Sequence, residues 1–127
     1  MGLKRVVVSG LGALTPIGND IKSYWSGLKS GVSGADNITY FDTTKFKTQF
    51  ACELKGYDPM DFFDRKEGRK LDRFSQYAIV SSDEAVKDSG INNEKIDKTR
   101  VGVIWGSGIG GLKTFQEEVT NLSLIHI

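Results

Sequence analysis

Apolar residues follow two kinds of pattern along this chain. Short β-branched runs at residues 5–10 and 100–105 lack alternating polar positions, which favours strands that are covered on both faces. Elsewhere, apolar residues recur at the spacing of an α-helix. Because strand and helix patterns alternate along the chain, we expect an α/β architecture with a mostly parallel sheet.

Three helices are expected, and residues suited to capping stand near their ends. The first begins after the Asn-Asp pair at residues 19–20, either of which can cap it, and ends at Gly31. The second runs from about residue 66 to residue 89, with Gly90 as its C-terminal cap. A short third helix starts near Leu112. The apolar face of the second helix consists of Leu71, Phe74, Ala78, Ser82 and Ala85.

The segment "FKTQFACEL", residues 46–54, alternates apolar and polar positions and predicts a strand with one buried face. Cys52 shares the apolar face with Phe50 and Leu54. A catalytic thiolate needs an accessible, electropositive setting, and the single histidine, His126, stands near the C-terminal end of the sequence. A structural role for Cys52, as a small buried apolar side chain, is therefore favoured over a nucleophilic one.

Composition excludes several classes of protein. The 127 residues suffice for one domain, and a formal net charge of +1 gives no overall field that favours nucleic acid or a membrane as a partner. No window approaches the ~18 consecutive apolar residues of a membrane span. The sequence has a single cysteine, which rules out an intramolecular disulfide and fits a reducing cytoplasm. It also has a single histidine, and so few possible ligands argue against a structural zinc site.

Glycines follow the second β-branched run. Gly106, Gly108 and Gly111 match the G-x-G-x-x-G spacing of a dinucleotide-binding turn. The second strand and the acidic residue about 20 positions further on, which complete that fingerprint, are missing. Two other interpretations stay open: the glycines permit close backbone packing or a positive φ, or they leave room for a ligand other than a nucleotide.

Basic residues recur at the start of the long predicted helix. Lys66, Arg69, Lys70 and Arg73 are spaced i, i+3, i+4, i+7 and therefore form one stripe if the helix is continuous. Such a stripe can dock an anionic partner, although more often it is only a solvated face. Nucleic acid is a poor candidate for the partner because no aromatic residues are interleaved for stacking.

Taken together, five segments resemble the N-terminal portion of the β-ketoacyl-[acyl carrier protein] synthases, and most of all the type II elongating enzymes of bacterial fatty acid synthesis. These segments are "RVVVSGLGALTPIGND", "SGVSG", "FDTTKFKTQFACEL", "DRKEGRKLDRFSQYA" and "RVGVIWGSGIGGLKTF". The resemblance runs from residue 4 to about residue 121. It implies an α/β fold that is the N-terminal part of the thiolase fold, a five-layered α/β/α/β/α arrangement of two similar halves.

The resemblance also implies a decarboxylative Claisen condensation between an acyl group and malonyl-carrier protein. In the family, a cysteine thiolate takes the acyl group, and two histidines assist loss of CO2 and stabilise the oxyanions. All three lie beyond residue 127 in the family's order. Neither Cys52 nor His126 matches a catalytic position, so we assign no catalytic residue to this chain and expect it to be inactive alone.

Two groups of residues match family positions with other roles. Lys66, Arg69 and Lys70 match the basic residues with which the bacterial enzymes dock acidic acyl carrier protein, whereas Arg73 lies outside the shared pattern. Ile109 matches a residue that lines the acyl-chain pocket near the dimer interface, where the type I relatives have a smaller residue. The family acts as a homodimer on acyl and malonyl thioesters, and the resemblance implies no cofactor and no metal.

The end of the chain departs from the family. We expect residues 1–121 to be a partial N-terminal synthase domain, and residues 122–127, "LSLIHI", to be a non-family tail that arose from a truncated gene model or a sequencing artefact. Two central strands would expose unpaired edges, which predicts poor solubility. A genuine stop codon after Ile127 would contradict the hypothesis of a truncated gene model.

Overall fold

The computed structural model describes residues 2–125, which are mostly helical with one small sheet. Two short 3-10 helices, at Pro59–Asp61 and Lys98–Arg100, stand in the connections. The four α-helices and two strands are α1 (Ile21–Lys29), β1 (Asp36–Asn37), β2 (Phe50–Ala51), α2 (Arg65–Gly68), α3 (Arg73–Ser89) and α4 (Leu112–Ile125).

Helix α1 begins and ends as its capping residues predict. The carboxylate of Asp20 accepts a hydrogen bond from the backbone N–H of Ser23 at 2.8 Å, and the Ser23 hydroxyl lies 3.4 Å from the Asp20 backbone nitrogen, which completes a capping box. After the helix, Gly31 has φ of +67°. Only glycine adopts this conformation without strain, so the chain can turn there.

The prediction of one long helix over residues 66–89 is wrong, because this segment forms two helices, α2 and α3, joined by residues 69–72. We call these four residues the α2–α3 turn. Asp72, at the start of α3, has an extended ψ of 150° that breaks the helix. The C-terminal end of α3 is as predicted, since Gly90 caps it in the left-handed conformation with φ of +62°.

The expected parallel sheet is also wrong for residues 2–125. The sheet is a two-stranded antiparallel pair in which Asp36 pairs with Ala51 and Asn37 pairs with Phe50. Of the strand predicted at 46–54, only two residues are in this pair. The runs at 5–10 and 100–105 form no strand in the described chain. A strand buried on both faces needs neighbouring strands and covering helices, and the described residues supply neither to these runs.

The best-buried residues lie around α3. Phe63 and Val80 are the buried apolar side chains of the described chain, and Gln76 and Ser81 are its buried polar ones. The apolar face predicted for this helix did not include Gln76, Val80 or Ser81. The four predicted residues that lie in α3 are only half-buried, namely Phe74, Ala78, Ser82 and Ala85.

Helix α3 also anchors the N-terminal loop that precedes α1. Glu84 accepts hydrogen bonds from the backbone N–H groups of Ala13 and Ile21, both at 2.8 Å. One turn later, Asp88 accepts from the backbone N–H of Leu11 at 2.9 Å. Gly12 lies between these anchors, directly against the α3 backbone at Ser81.

Much apolar surface remains uncovered in residues 2–125. Val6, Val8 and Ile104 are at least 79% exposed. Helix α4 starts at Leu112 as predicted, but none of its described side chains is buried. Within the described chain, no helix combines the length and apolar character needed to cross a membrane.

Candidate functional site

The predicted basic residues lie on α2 and the α2–α3 turn, all of them exposed. Lys66 is in α2, Arg69 is its C-cap residue and Lys70 lies in the turn. We call Lys66, Arg69 and Lys70 the basic cluster. The expected stripe along one continuous helix is wrong, because the chain leaves helical geometry between Lys70 and Arg73. The cluster is instead presented at a corner between two helices.

Two carboxylates beside the basic cluster, those of Asp64 and Asp72, accept hydrogen bonds from other groups, whereas Glu67 in α2 is exposed. Asp64 caps α2 by accepting hydrogen bonds from the backbone N–H groups of Lys66 and Glu67, both at 2.8 Å. The carboxylate of Asp72 accepts a short hydrogen bond from the hydroxyl of Thr114 in α4. The three ion pairs found among residues 2–125 are Lys55–Asp36, Lys87–Asp83 and Lys113–Glu117. None of these pairs neutralises the basic cluster, so its charges are available to an anionic partner.

Arg73 is exposed, but its guanidinium group is engaged by Tyr40. One of its guanidinium nitrogens donates to the hydroxyl of Tyr40 at 2.8 Å, and the guanidinium carbon lies 5.3 Å from the centroid of the Tyr40 ring. Desolvation disfavours its charge, but hydrogen bonds with Tyr77 and Tyr40 outweigh that cost, so the pKa of Arg73 is raised above its usual value. Arg73 therefore ties α3 to the segment after β1.

Gln76 is a feature of the site that sequence reasoning missed. Its side-chain amide nitrogen donates to the backbone carbonyls of Gly68 at 2.8 Å and Leu71 at 2.9 Å. Its amide oxygen accepts from the hydroxyl of Tyr57 at 3.0 Å, and the residue is 4% exposed. Burial raises the pKa of Tyr57, which keeps that hydroxyl a donor. A polar residue within a helical pattern looks solvent-facing, so no local signal indicated this role.

The glycine cluster divides into two parts. A Cβ on Gly106 or Gly108 would meet nothing within 4 Å, whereas one on Gly110 would lie 2.7 Å from the ring of Phe74. Gly111 has φ of +69° and lies against the carboxylate of Asp72. The interpretation as close packing or positive φ is confirmed for Gly110 and Gly111 and wrong for the first two glycines. Residues 100–105, directly before the cluster, form no strand in the described chain, which removes the context that a dinucleotide turn requires.

Ile109, in the middle of the cluster, is 77% exposed. The loop that carries it meets the base of α3 at two points, the Phe74 ring and the Asp72 carboxylate. Ile109, which the sequence predicts to line an acyl pocket, and the basic cluster therefore lie on segments that both contact the N-terminal end of α3.

Cys52 is exposed, so the predicted burial of this thiol is wrong. The predicted face fails because Phe46 and Phe50, its expected neighbours, are 57% and 63% exposed. An open cleft of about 450 Å³ adjoins Cys52 and has mostly apolar walls that include Leu14 and Tyr77. His126 lies outside the described residues, so no pairing of thiol and imidazole is described.

Comparison with known proteins gives a consistent result. The sequence profile of a family described as the N-terminal domain of β-ketoacyl synthases matches residues 3–124. A protein named 3-oxoacyl-[acyl-carrier-protein] synthase 2 from Staphylococcus aureus (strain COL) is 50% identical over 113 residues, which are 89% of this chain and 27% of that protein. A protein of the same name from Synechocystis sp. is 43% identical over 119 residues, which are 94% of this chain and 29% of that protein. The chain thus spans less than a third of these relatives.

Two solved structures share the fold of this chain. A β-ketoacyl synthase from Burkholderia phymatum STM815 superposes with a TM-score of 0.72 at 30% identity, over 95% of this chain and 30% of that one. The ishigamide ketosynthase/chain length factor superposes with a TM-score of 0.60 at 32% identity, over 76% of this chain and 23% of that one. In both, the matching part is less than a third of the larger protein.

Proposed function

Because this chain belongs to the β-ketoacyl synthase family, we propose that it is the N-terminal portion of a type II 3-oxoacyl-[acyl carrier protein] synthase of fatty acid biosynthesis. The 50% identity to the synthase 2 of S. aureus over 89% of the chain supports this assignment. In the complete enzyme, this portion is the start of the five-layered thiolase fold. The reaction is condensation of an acyl group with malonyl-carrier protein.

A polyketide-type ketosynthase is the second candidate. The match to the ishigamide ketosynthase/chain length factor, at 32% identity, favours it. The higher identity to the two 3-oxoacyl-[acyl-carrier-protein] synthases favours fatty acid synthesis instead. The division of the chain at residue 121 stays a prediction, as does the homodimer of the complete enzyme.

We propose that Lys66, Arg69 and Lys70 dock the acidic acyl carrier protein. The observation that supports this role is the exposed positive charge of the cluster: all three side chains are exposed, and none takes part in an ion pair among the described residues. The carboxylates of Asp64 and Asp72 accept hydrogen bonds from the N-terminus of α2 and from Thr114, and the three cations of the basic cluster outnumber the exposed Glu67. Complementary charge at such a corner speeds encounter and orients the partner.

The test is the affinity of acyl carrier protein for the 127-residue chain, measured by fluorescence anisotropy. We expect the variant K66E/R69E/K70E to bind roughly 10- to 100-fold more weakly, because each surface ion pair is worth about 0.2–1 kcal/mol and reversal adds repulsion. Wild-type binding should also weaken as salt rises.

A matched control separates position from net charge. The variant K22E/K29E/K98E changes the charge by the same amount at exposed lysines outside the basic cluster. We expect it to bind within about threefold of wild type, since distant exposed charges are screened. Equal losses in both triple variants would refute docking at the basic cluster.

The catalytic contribution of this chain is a separate proposal. No residue of it matches the family's nucleophilic cysteine or its two histidines, so we propose that the purified chain docks carrier protein without catalysing condensation. Any 3-oxoacyl product formed from acyl- and malonyl-carrier protein by the purified chain would refute this. Ile109 is proposed to line the acyl pocket of the complete enzyme, where a branched side chain limits the chain lengths that fit.

A further inference from the structure

We infer that Gln76 is a positioning residue which fixes the α2–α3 turn and thereby the arrangement of the basic cluster. The inference rests on the proposed docking function. A buried, uncharged side chain outside the basic cluster thus determines how well that cluster binds.

The geometry of Gln76 is specific to the turn. Carbonyls at the end of a helix lose their intrahelical partners, and α2 ends at Gly68. The Gln76 amide supplies a donor to the Gly68 carbonyl and a second to the Leu71 carbonyl, at 2.8 and 2.9 Å. Both amide N–H groups of Gln76 therefore donate to backbone carbonyls at the connection between α2 and α3.

These two carbonyls flank the charged residues. Gly68 immediately precedes Arg69, and Leu71 immediately follows Lys70, so the peptide groups on either side of the pair are held by one side chain. Other hydrogen bonds of the turn run from the Lys70 N–H to the Glu67 carbonyl at 2.9 Å and from the Gln76 N–H to the Asp72 carbonyl at 3.0 Å. Without the Gln76 side chain, the carbonyls on either side of Arg69 and Lys70 lose the two hydrogen bonds that it donates.

The far end of Gln76 is itself fixed. Its amide oxygen accepts from the hydroxyl of Tyr57, and the Tyr57 ring packs edge-on against Tyr77 with centroids 5.1 Å apart. A rotated amide would place its oxygen against the two carbonyls and lose both hydrogen bonds to the turn. A preordered turn spares the docking partner the cost of ordering the backbone that carries Arg69 and Lys70.

The experiment compares Q76M with wild type in the 127-residue chain. Methionine keeps the size and the zero charge of glutamine but removes all three hydrogen bonds. We expect acyl carrier protein to bind roughly five- to tenfold more weakly, with faster amide exchange at Arg69 and Lys70. The matched control is Q49M, because the Gln49 amide is exposed and makes a single 3.3 Å hydrogen bond to Phe46 outside the turn.

A double-mutant cycle distinguishes positioning from general loss of stability. In the Q76M background, K70E should cost less affinity than in wild type, since Lys70 is no longer held in its docking position. Y57F keeps both bonds to the turn but removes the hydrogen bond that fixes the amide oxygen, so its affinity is expected to lie between those of wild type and Q76M. If Q76M loses the helical circular dichroism of wild type, Q76E replaces it, because its carboxylate repels both carbonyls while retaining an acceptor for Tyr57.

The outcomes separate this inference from the proposed function. Wild-type affinity in Q76M, together with a large loss in K66E/R69E/K70E, overturns the role of Gln76 and leaves the docking function standing. Unchanged affinity in both overturns the docking function. Weakened binding in Q76M with additive effects of K70E also overturns positioning, because the two residues would then act independently.

Discussion

Replacing Gly12 by alanine tests how the N-terminal loop is fixed to α3. A Cβ at this position would overlap the carbonyl oxygen of Ser81 and lie 2.8 Å from the backbone nitrogen of Ala85. Both are helix backbone, which cannot rotate away as a side chain can. The loop must therefore move outward or α3 must bend.

The size of the effect follows from that displacement. Ordinary van der Waals contact begins at 3.4 Å, so the contact with the Ala85 nitrogen alone requires a shift of 0.6 Å, the difference from 2.8 Å. The adjacent hydrogen bond from Ala13 to Glu84 is 2.8 Å long and would stretch with it. Overpacking costs about 1–3 kcal/mol, and a hydrogen bond to a charged group contributes about 1.5–3 kcal/mol. With partial relaxation we expect a loss of about 2–3 kcal/mol in the local opening free energy.

Amide hydrogen exchange followed by NMR measures this locally and needs no cooperative unfolding. Protection of the Ala13 and Ile21 amides, both bound to Glu84, should fall roughly 30- to 150-fold. G102A is the matched control, because a Cβ on Gly102 would meet nothing within 4 Å. Protection within about twofold of wild type in G12A would refute the claim that the loop is tightly seated on α3.

Three further predictions concern the glycine cluster and the cap of α1. G110A should lower the stability of the contact with Phe74 by about 1 kcal/mol and shift the Phe74 ring resonances, whereas G108A should leave them unchanged. NAD titration should give no saturable change in tryptophan fluorescence, and saturation would restore the dinucleotide interpretation. Hydrogen bonds from the backbone and hydroxyl of Ser23 lower the pKa of Asp20 below 3.8, so its stabilisation is complete above that value and is lost as the pH falls through the lowered pKa. D20N, which cannot titrate, should therefore remove the acid-induced loss of α1 amide protection, and an identical pH profile in wild type and D20N would contradict this assignment.

Local signals predicted the helix ends well. The helix ends depend on capping and backbone conformation within a few residues, so a short stretch of sequence suffices to predict them. Examples are the ends at Asp20, Gly90 and Leu112. The break between α2 and α3 was missed for the opposite reason. Hydrogen bonds at the break come from the side chain of Gln76, which accepts in turn from Tyr57, 19 residues away in sequence.

Strands were predicted poorly because strand pairing is not local. The runs at 5–10 and 100–105 have the composition of buried strands, but the described chain offers them no neighbouring strand. The same reason explains Cys52, whose burial was inferred from alternation along a strand that pairs over two residues only. The basic cluster was identified by residue type and family resemblance, while its position at a corner emerged from the structure alone.

The anchoring of the N-terminal loop by α3 has a consequence for the order of events during synthesis. The capping box of α1 joins residues only three positions apart, so this cap depends on no later part of the chain. The bond between Ile21 and Glu84 spans 63 residues, and the one between Ala13 and Glu84 spans 71. At about 5–20 residues per second, the loop waits roughly 3 to 15 s for its anchor. During those seconds the segment from Ala13 to Ile21 lacks its partner on α3, so the N-terminal loop takes its final path only after Glu84 has been synthesised.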